Sequence, residues 1–220
     1  RDSTKFKIDK GDHLLDTHTH ILWNIDDGSK NQCMSLQMLE IAARSGTKAI
    51  FATPHVIERA NKPSWEEIKE KTQQLRQLCA EAQIDIMLYP GAEVQMNWEL
   101  LPELGATGAY CLNGGRYLLI ELPAAEIPAY ADEFWYELEL KGITPILAHP
   151  ERYQQLRENP DLLLLWRRRG MLMQCNSGSF TGMFGSSVCE NAKVLLANGL
   201  VDLLGSDGHR SEGRNTDMSR

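Results

Sequence analysis

Short apolar stretches that each end on a polar side chain recur seven times along this chain. In chain order, the stretches with their endings are LLDTHTH, IFATPH, IMLYPGAE, YLLIEL, PILAHPER, LMQCNS and LLGSDGH. Alternate side chains of a strand share a face, so His18 and His20 are predicted to point the same way. The same holds for Asp207 and His209 if strand geometry persists that far. Polar ends of buried parallel strands meet at one mouth of a (β/α) barrel, so the pattern predicts an active site there.

Segments with helical patterns separate the apolar stretches and carry recognisable ends. Ser64 and Glu67 form a capping box ahead of a helix over roughly 65–83, and Asn159-Pro160 begins another helix. Four helical segments end on a glycine that opens the next strand, namely Gly46, Gly142, Gly170 and Gly199. The strand centres lie about thirty residues apart, which is the length of a βα unit. The pattern predicts an α/β fold, a distorted (β/α)7 barrel, with a doubly wound open sheet as the alternative.

Length and composition fit one domain, because the chain has 220 residues of which 42% are hydrophobic. We expect an N-terminal extension over residues 1–13 and a single domain over 14–220 whose C-terminal end is incomplete. No signal peptide or membrane-spanning apolar run is found, so we expect a cytoplasmic protein without membrane insertion. Five cysteines without CxxC spacing argue against disulfides and zinc-thiolate sites. A formal net charge of −7 disfavours nucleic-acid binding, which needs a basic face.

Histidine and carboxylate side chains dominate the strand endings, which is typical of a metal hydrolase. Nine of these side chains are candidate metal ligands: His18, His20, Asp27, His55, Glu93, Glu121, His149, Asp207 and His209. One ion needs about four ligands, so this set suits two or three ions that activate water and hold an anion. Nitrogen and oxygen ligands favour manganese, iron or zinc. Spacing alone does not separate Asp26 from Asp27 as a ligand, whereas Asp16 is expected to make a structural hydrogen bond.

The motifs DTHTHILWNIDDG, ATPH, PGAE, LIEL, ITPILAHPER and SDGH, in that order, closely resemble those of the polymerase and histidinol phosphatase (PHP) superfamily. More narrowly, they resemble the manganese-dependent bacterial protein-tyrosine phosphatases of the capsule and exopolysaccharide operons, the CpsB/YwqE type. The likeness runs from residue 14 to residue 214. It implies a distorted (β/α)7 barrel, the PHP fold, that holds three divalent ions, with manganese expected and iron or zinc as alternatives.

The resemblance also implies a role for each candidate ligand. It assigns the first ion to His18, His20, Glu93 and Asp207; the second to Glu93, Glu121 and His149; and the third to Asp27, His55 and His209. Glu93 would therefore bridge two ions. Arg152 and Arg214 match the phosphate-binding arginines of the family, and His55 is a candidate to assist the departing oxygen.

Two departures bear on the resemblance. Histidinol phosphatases of the superfamily usually carry histidine where this chain has Asp27 in IDDG, and the difference favours the tyrosine-phosphatase branch. After Arg214 the chain reads NTDM instead of the expected proline-rich continuation, so Arg214 is the weaker of the two arginine assignments.

The implied function is metal-dependent hydrolysis of phosphotyrosine on a protein, with the tyrosine-rich tail of a bacterial tyrosine kinase that controls polysaccharide export as the expected partner. The alternatives are a phosphatase for a small phosphoester such as histidinol phosphate, an exonuclease that the acidic charge disfavours, and a degenerate non-enzymatic scaffold. Homo-oligomer formation stays open. A cysteine-based tyrosine phosphatase is excluded, because that mechanism needs a C-x5-R loop and no arginine stands six residues after any cysteine.

Overall fold

A computed structural model of the chain describes residues 14–105, 108–124 and 126–219, so the predicted N-terminal extension over 1–13 lies outside the described residues. The strands are β1 Leu14–Thr19, β2 Thr47–Ala52, β3 His55–Val56, β4 Met87–Pro90, β5 Glu93–Gln95, β6 Tyr117–Glu121, β7 Thr144–Ala148, β8 Leu172–Asn176 and β9 Leu203–Gly205. The α-helices are α1 Gln32–Arg44, α2 Trp65–Glu81, α3 Ala131–Leu140, α4 Gln154–Glu158, α5 Asp161–Arg168, α6 Ser177–Phe180 and α7 Ser186–Ala197. Short 3₁₀ turns cover Trp98–Glu103, Leu112–Gly114 and Pro150–Arg152.

The strands form a curled parallel sheet in two connected parts. One part has the order β1-β2-β4 and the other the order β3-β5-β6-β7-β8-β9. β3 follows β2, and β5 follows β4, after two residues each, so the two parts share these interrupted strands. A parallel bridge between Thr19 and Gly208, with a 2.9 Å hydrogen bond from His20 N to Gly208 O, joins β1 to the segment after β9. This closure confirms the predicted barrel and excludes an open, doubly wound sheet.

The barrel is distorted where strand β4 stops and β5 begins. The Leu112–Gly114 turn contacts both β4 and β6, and β6 pairs with β5 instead of β4. Gly91 permits this approach, because a β-carbon there would lie 2.7 Å from Leu112 Cδ2. All seven predicted strand positions are occupied, and β3 and β5 are the short continuations that the sequence pattern did not separate.

The predicted helix ends are present. Ser64 caps α2 and accepts a 3.1 Å hydrogen bond from Glu67 N. Each of the four predicted helix-ending glycines has a positive φ, between 68° and 93°. The helix after Asn159 begins at Asp161, where Pro160 takes the capping position without a side-chain hydrogen bond.

Alternation along the strands divides the core and aims polar residues at one mouth. Leu118 and Ile120 of β6 face the large apolar layer beneath the helices, whereas Leu119 joins a small cluster with Ile146 inside the barrel. Glu121 lies two residues beyond Leu119 and therefore follows the same inner face to the end of the strand. Apolar side chains thus fill the barrel interior, and polar groups lie at the mouth where the strands end.

Within the described residues, no helix combines the length and the apolar character that a membrane span requires.

Candidate metal centre

Glu93, the first residue of β5, lies at the centre of the polar mouth. Its carboxylate contacts four imidazoles: Oε2 lies 3.0 Å from His18 Nε2, 3.2 Å from His20 Nε2 and 3.1 Å from His55 Nδ1, and Oε1 lies 2.9 Å from His149 Nε2. Glu93 is 1% exposed, so water does not separate these contacts. Both oxygens of this carboxylate therefore face imidazole nitrogens.

The structure brings all nine candidate ligands into overlapping groups. In each group the ligand atoms lie within 4.8 Å of one another; the groups are His18 with His20 and Asp207, His18 with Glu93 and His149, His55 with Glu93 and Glu121, and His20 with Asp27, His55 and His209. The trio Asp27, His55 and His209 implied by the resemblance is therefore together. Glu121 groups with His55 instead of His149, which is a difference from the implied second set.

The donor set fits divalent cations. His18 Nε2 and His20 Nε2 converge to 3.1 Å, and Asp207 Oδ1 lies 3.6 Å and 3.4 Å from these two nitrogens. Asp207 Oδ1 is buried and has no hydrogen-bond partner among the described residues. Converging imidazole nitrogens and an unpartnered buried carboxylate oxygen are satisfied together by a cation with nitrogen and oxygen ligands.

The pKa shifts keep the buried carboxylates ionised. Burial alone would raise the pKa of Glu93, but the surrounding imidazoles, His18 first, hold it well below its usual range. The pKa of Asp207 is likewise held well below its usual range, because His18 and His20 outweigh the effect of burial. Burial would lower the pKa of His18, yet Glu93 and Asp207 raise it. The carboxylates and the imidazoles of the mouth thus stabilise one another's charged forms.

Hydrogen bonds outside the cluster orient the two histidines of β1. His20 Nδ1 donates to Asp26 Oδ2 at 2.7 Å, and His18 Nδ1 donates to Gln174 Oε1 at 3.0 Å. Gln174 is fixed in turn, since its Nε2 donates to Cys175 O at 2.8 Å. Both histidines therefore present Nε2 to the cluster, as expected of metal-binding imidazoles held by a second partner.

Asp26 and Asp27, which spacing could not separate, have different surroundings. Asp26 is tied to His20 and also accepts hydrogen bonds from His55 N at 3.0 Å and Gly28 N at 2.9 Å. Asp27 Oδ1 instead faces His55 Nε2 at 3.6 Å and His209 Nε2 at 3.4 Å. A hydrogen bond from His209 lowers the pKa of Asp27, so this carboxylate is ionised as well. Asp27 is thus the one that faces the donor cluster, and Asp26 orients an imidazole.

The segment after β9 departs from the predicted strand geometry. β9 ends at Gly205, and Asp207 adopts the left-handed region with φ of 52°, so the strand geometry on which a shared face of Asp207 and His209 depended does not persist that far. Both side chains still reach the mouth, because Asp207 N donates to His18 O at 2.8 Å and holds the loop against β1. Asp16 makes the expected structural hydrogen bonds, with Oδ1 accepting from Ser206 N at 2.8 Å and His18 N at 3.2 Å.

Two arginines stand at the rim above this centre. Arg152 Nη1 lies 3.0 Å from Asp207 Oδ2, and Arg214 Nη2 pairs with the same oxygen. Asn176 Nδ2 also donates to that oxygen at 2.8 Å. Asp207 therefore turns one oxygen toward the imidazoles and the other toward the two guanidinium groups.

A cavity of about 770 Å³ opens over the centre. Candidate ligands and both arginines line it, and it extends along α4 past Gln154 and Arg157. Tyr153 also lines it; its hydroxyl oxygen accepts from Leu122 N at 2.9 Å, and burial raises the pKa of its phenol well above the usual range. Sequence reasoning missed Tyr153 and Gln174. Alternation could have indicated Gln174, which lies two residues before Asn176 on the same face of β8.

Comparisons with known proteins agree with this geometry. A model of the family described as capsular polysaccharide synthesis, CpsB/CapC, matches residues 14–220. The tyrosine-protein phosphatase YwqE of Bacillus subtilis (strain 168) is 35% identical over 202 residues, which cover 92% of this chain and 80% of that protein.

Solved structures show the same fold. A structure from work on YwqE of Bacillus subtilis and CpsB of Streptococcus pneumoniae, described as unique metal-dependent tyrosine phosphatases, has a TM-score of 0.88 at 34% identity and covers 93% of this chain and 83% of that chain. A histidinol phosphate phosphatase from Lactococcus lactis has a TM-score of 0.58 at 16% identity over 90% of this chain and 87% of that chain, a likeness of fold alone. The chain belongs to the CpsB/CapC family, within the PHP fold.

Proposed function

We propose that this chain is a metal-dependent protein-tyrosine phosphatase, an enzyme that hydrolyses phosphotyrosine on proteins. The observation that carries the proposal is the nitrogen and oxygen donor cluster around Glu93, with Arg152 and Arg214 paired to Asp207 at its rim. Membership of the CpsB/CapC family and the similarity to metal-dependent tyrosine phosphatases support it.

We further propose that the cluster holds three divalent ions, with manganese as the expected metal and iron or zinc as alternatives. The nine residues that would hold them are His18, His20, Asp27, His55, Glu93, Glu121, His149, Asp207 and His209. When bound, such ions lower the pKa of water and offset the negative charge of a phosphoryl group. Burial lowers the pKa of His209 below its ordinary value, which favours the neutral imidazole that cation binding requires.

The arginines would hold the phosphoryl group of the substrate. A guanidinium group offers paired donors that match phosphate oxygens, and it stays charged at every working pH. Arg152 and Arg214 both line the cavity and are partly exposed, so their free donors can reach a phosphate. Asp207 would keep the two guanidinium groups beside the ions through its second oxygen.

The phenol leaving group needs little protonation by a general acid. A phenol has a pKa of about 10, so it departs more easily than an alkoxide, and a strong general acid is less necessary. We propose His55 as the side chain that assists the departing oxygen, since it lines the cavity beside Glu93 and Glu121.

The open cavity suits a protein substrate better than a small molecule. A phosphotyrosine side chain could enter it while the flanking peptide lies along α4, where Gln154 and Arg157 line the wall. A disordered tyrosine-rich tail meets this requirement. We propose that the partner is such a tail on a bacterial tyrosine kinase that regulates capsule or exopolysaccharide synthesis. The two proteins would interact in the cytoplasm.

Metal stripping tests the proposal. Protein treated with a chelator should lose hydrolysis of a phosphotyrosyl peptide and regain it with manganese, because the cluster supplies the chemistry only with ions bound. Elemental analysis of the restored protein should give three ions per chain. Full activity after verified removal of metal would contradict the proposed mechanism, and recovery of a single ion with full activity would contradict the three-ion centre.

The arginine Arg152 gives a second test. Arg152→Ala should leave metal content unchanged and lower turnover on the order of a hundredfold. The activation free energy should rise by about 3 kcal/mol, because one charge-assisted donor to the transition state is lost. Metal analysis beside steady-state kinetics checks this. If Arg152 is instead a structural partner of Asp207, the variant should melt earlier and lose metal together with activity.

A further inference from the structure

An aromatic ring lies against both arginines of the rim. The ring of Phe184, in the loop between α6 and α7, has its centroid 4.8 Å from Arg152 Cζ and 5.5 Å from Arg214 Cζ. The same two arginines pair with Asp207 Oδ2. Two guanidinium groups therefore share one carboxylate oxygen and one aromatic ring.

Two cations held this close repel one another, and the repulsion is only partly screened at a half-buried site. Asp207 carries one negative charge and so offsets one of the two positive charges. The negative face of an aromatic ring attracts guanidinium groups and can offset part of the remainder. Arg214 Nε is buried and has no hydrogen-bond partner in the part of the chain that the structure describes. The ring thus adds a contact to a guanidinium group that pairs with Asp207 Oδ2 but leaves its Nε unpartnered among the described residues.

The loop that carries Phe184 is a tight turn closed by backbone hydrogen bonds. Gly182 and Gly185 flank it with φ of 84° and 95°, a region that residues with side chains rarely adopt. Gly185 N donates to Gly182 O at 3.0 Å and Met183 N donates to Gly178 O at 3.0 Å, which closes the turn. The position of the ring is thus set by backbone geometry.

The helices on both sides of this loop, α6 and α7, are hydrogen-bonded to the turn that bears Arg152. The neighbouring residue Glu151 is fully buried, and its Oε1 accepts from Ser179 Oγ at 2.7 Å and from Asn176 N at 2.9 Å. Asn191 of α7 donates to Glu151 O at 3.0 Å. The ring and the first arginine are therefore parts of one hydrogen-bonded unit.

We propose that Phe184 is a positioning residue for phosphate recognition, which keeps Arg152 and Arg214 side by side in the orientation that binds a phosphoryl group. Phe184 is absent from the described residues that line the cavity, so it acts through the arginines and not on the substrate. The inference rests on the proposed function, in that the arginines are taken to hold phosphoryl oxygens.

Inorganic phosphate binding to the metal-loaded protein, measured by calorimetry, tests the inference. Phe184→Leu keeps apolar bulk but removes the aromatic face, and it should raise the Kd for phosphate about tenfold, since two cation–π contacts are lost. Phe184→Trp should bind phosphate at least as tightly as the parent, because tryptophan is the strongest cation–π partner. Met183→Leu, in the same loop, is the matched control and should leave the Kd unchanged. In a background with both arginines replaced by alanine, Phe184→Leu should have no further effect.

Several outcomes overturn the inference. These are an unchanged Kd in Phe184→Leu, an equal loss in Phe184→Trp, a parallel drop in Tm and metal content that marks a packing role, and a parent protein that binds no phosphate. A parent that binds phosphate tightly but does not hydrolyse phosphotyrosyl peptide would overturn the proposed function, while the phosphate Kd values still decide the role of Phe184.

Discussion

At the scale of single residues, neighbouring acids have different tasks because of the direction in which the backbone turns them. Asp26 holds His20 by a 2.7 Å hydrogen bond, whereas Asp27 faces His55 and His209 and is 68% exposed. The sequence predicts that one of the two belongs to the site, because both follow a histidine-bearing strand. It does not predict which one, since the loop after β1 has no period that fixes the side-chain direction.

Substitution of each acid separates the two tasks. Asp27→Ala should lose about one ion per chain, because a proposed ligand is removed. Asp26→Ala should keep the full ion count at saturating metal but bind it about 10–100-fold more weakly, since no proposed ligand is removed and only the hydrogen bonds that support His20 and the backbone of His55 and Gly28 are lost. Metal titration with elemental analysis measures both. Equal losses in the two variants would contradict this division.

A second pair of acids tests the centre of the cluster. Glu93 contacts four imidazoles, while Glu121 groups with only one histidine and Glu93 itself. Glu93→Ala should therefore cost more metal and more turnover than Glu121→Ala, because a bridging carboxylate serves two ions. Identical metal retention and turnover in the two variants would refute the bridging role.

At the scale of the elements, strand ends supply the site and loop geometry completes it. Period-two patterning predicts His18 and His20 correctly, because β1 runs almost to that point. It does not extend past β9, where Asp207 lies in the left-handed region and reaches the mouth from a loop held by Asp16 and His18. Such a loop is stabilised by contacts between the first and the last strand, and local sequence does not encode them. For the same reason, the sequence pattern does not predict the position of Phe184.

Asp16, which joins β1 to the loop after β9, makes the stability depend on pH. Burial raises the pKa of Asp16 from 3.8 to about 6, so the folded protein holds this proton more tightly than the unfolded chain. Its contribution to stability is therefore lost as pH rises from about 4 to about 6. Asp16→Asn keeps an acceptor oxygen and does not titrate. In metal-free protein, the free energy of unfolding of the variant relative to the parent should rise by about 1.4 kcal/mol between pH 5 and pH 7.5.

Denaturant unfolding at the two pH values checks the effect of Asp16→Asn, with Asp16→Ala as the control. The alanine variant leaves the backbone N–H groups of His18 and Ser206 without their acceptor, so it should be destabilised at both pH values. A relative stability of Asp16→Asn that falls as pH rises would contradict the assignment.

At the scale of the whole molecule, the fold was predictable because seven apolar stretches recur at the spacing of βα units. The closure between Thr19 and Gly208 and the breaks between β2 and β3 and between β4 and β5 were not predictable, since they depend on contacts across the barrel.

The proposed chemistry depends on the side chains at the barrel mouth, and none of the cysteines is among the candidate ligands there. Cys79, Cys111 and Cys175 are buried, and burial raises the pKa of Cys79 and Cys111 to about 11.

Thiol alkylation should accordingly leave turnover unchanged. Iodoacetamide at neutral pH should modify exposed Cys33 and spare the three buried cysteines, which are both inaccessible and protonated. Mass spectrometry of the alkylated protein, with activity measured on the same sample, makes the comparison. Loss of activity in proportion to modification would require a cysteine in the mechanism.

The substrate class of this chain is measured by comparing two substrates on the manganese-loaded protein. We expect a higher kcat/KM for a phosphotyrosyl peptide than for histidinol phosphate, because the cavity is open along α4 and the departing phenol needs no strong acid. A ratio of these two kcat/KM values below one would contradict the account and assign the chain to small-molecule phosphatases.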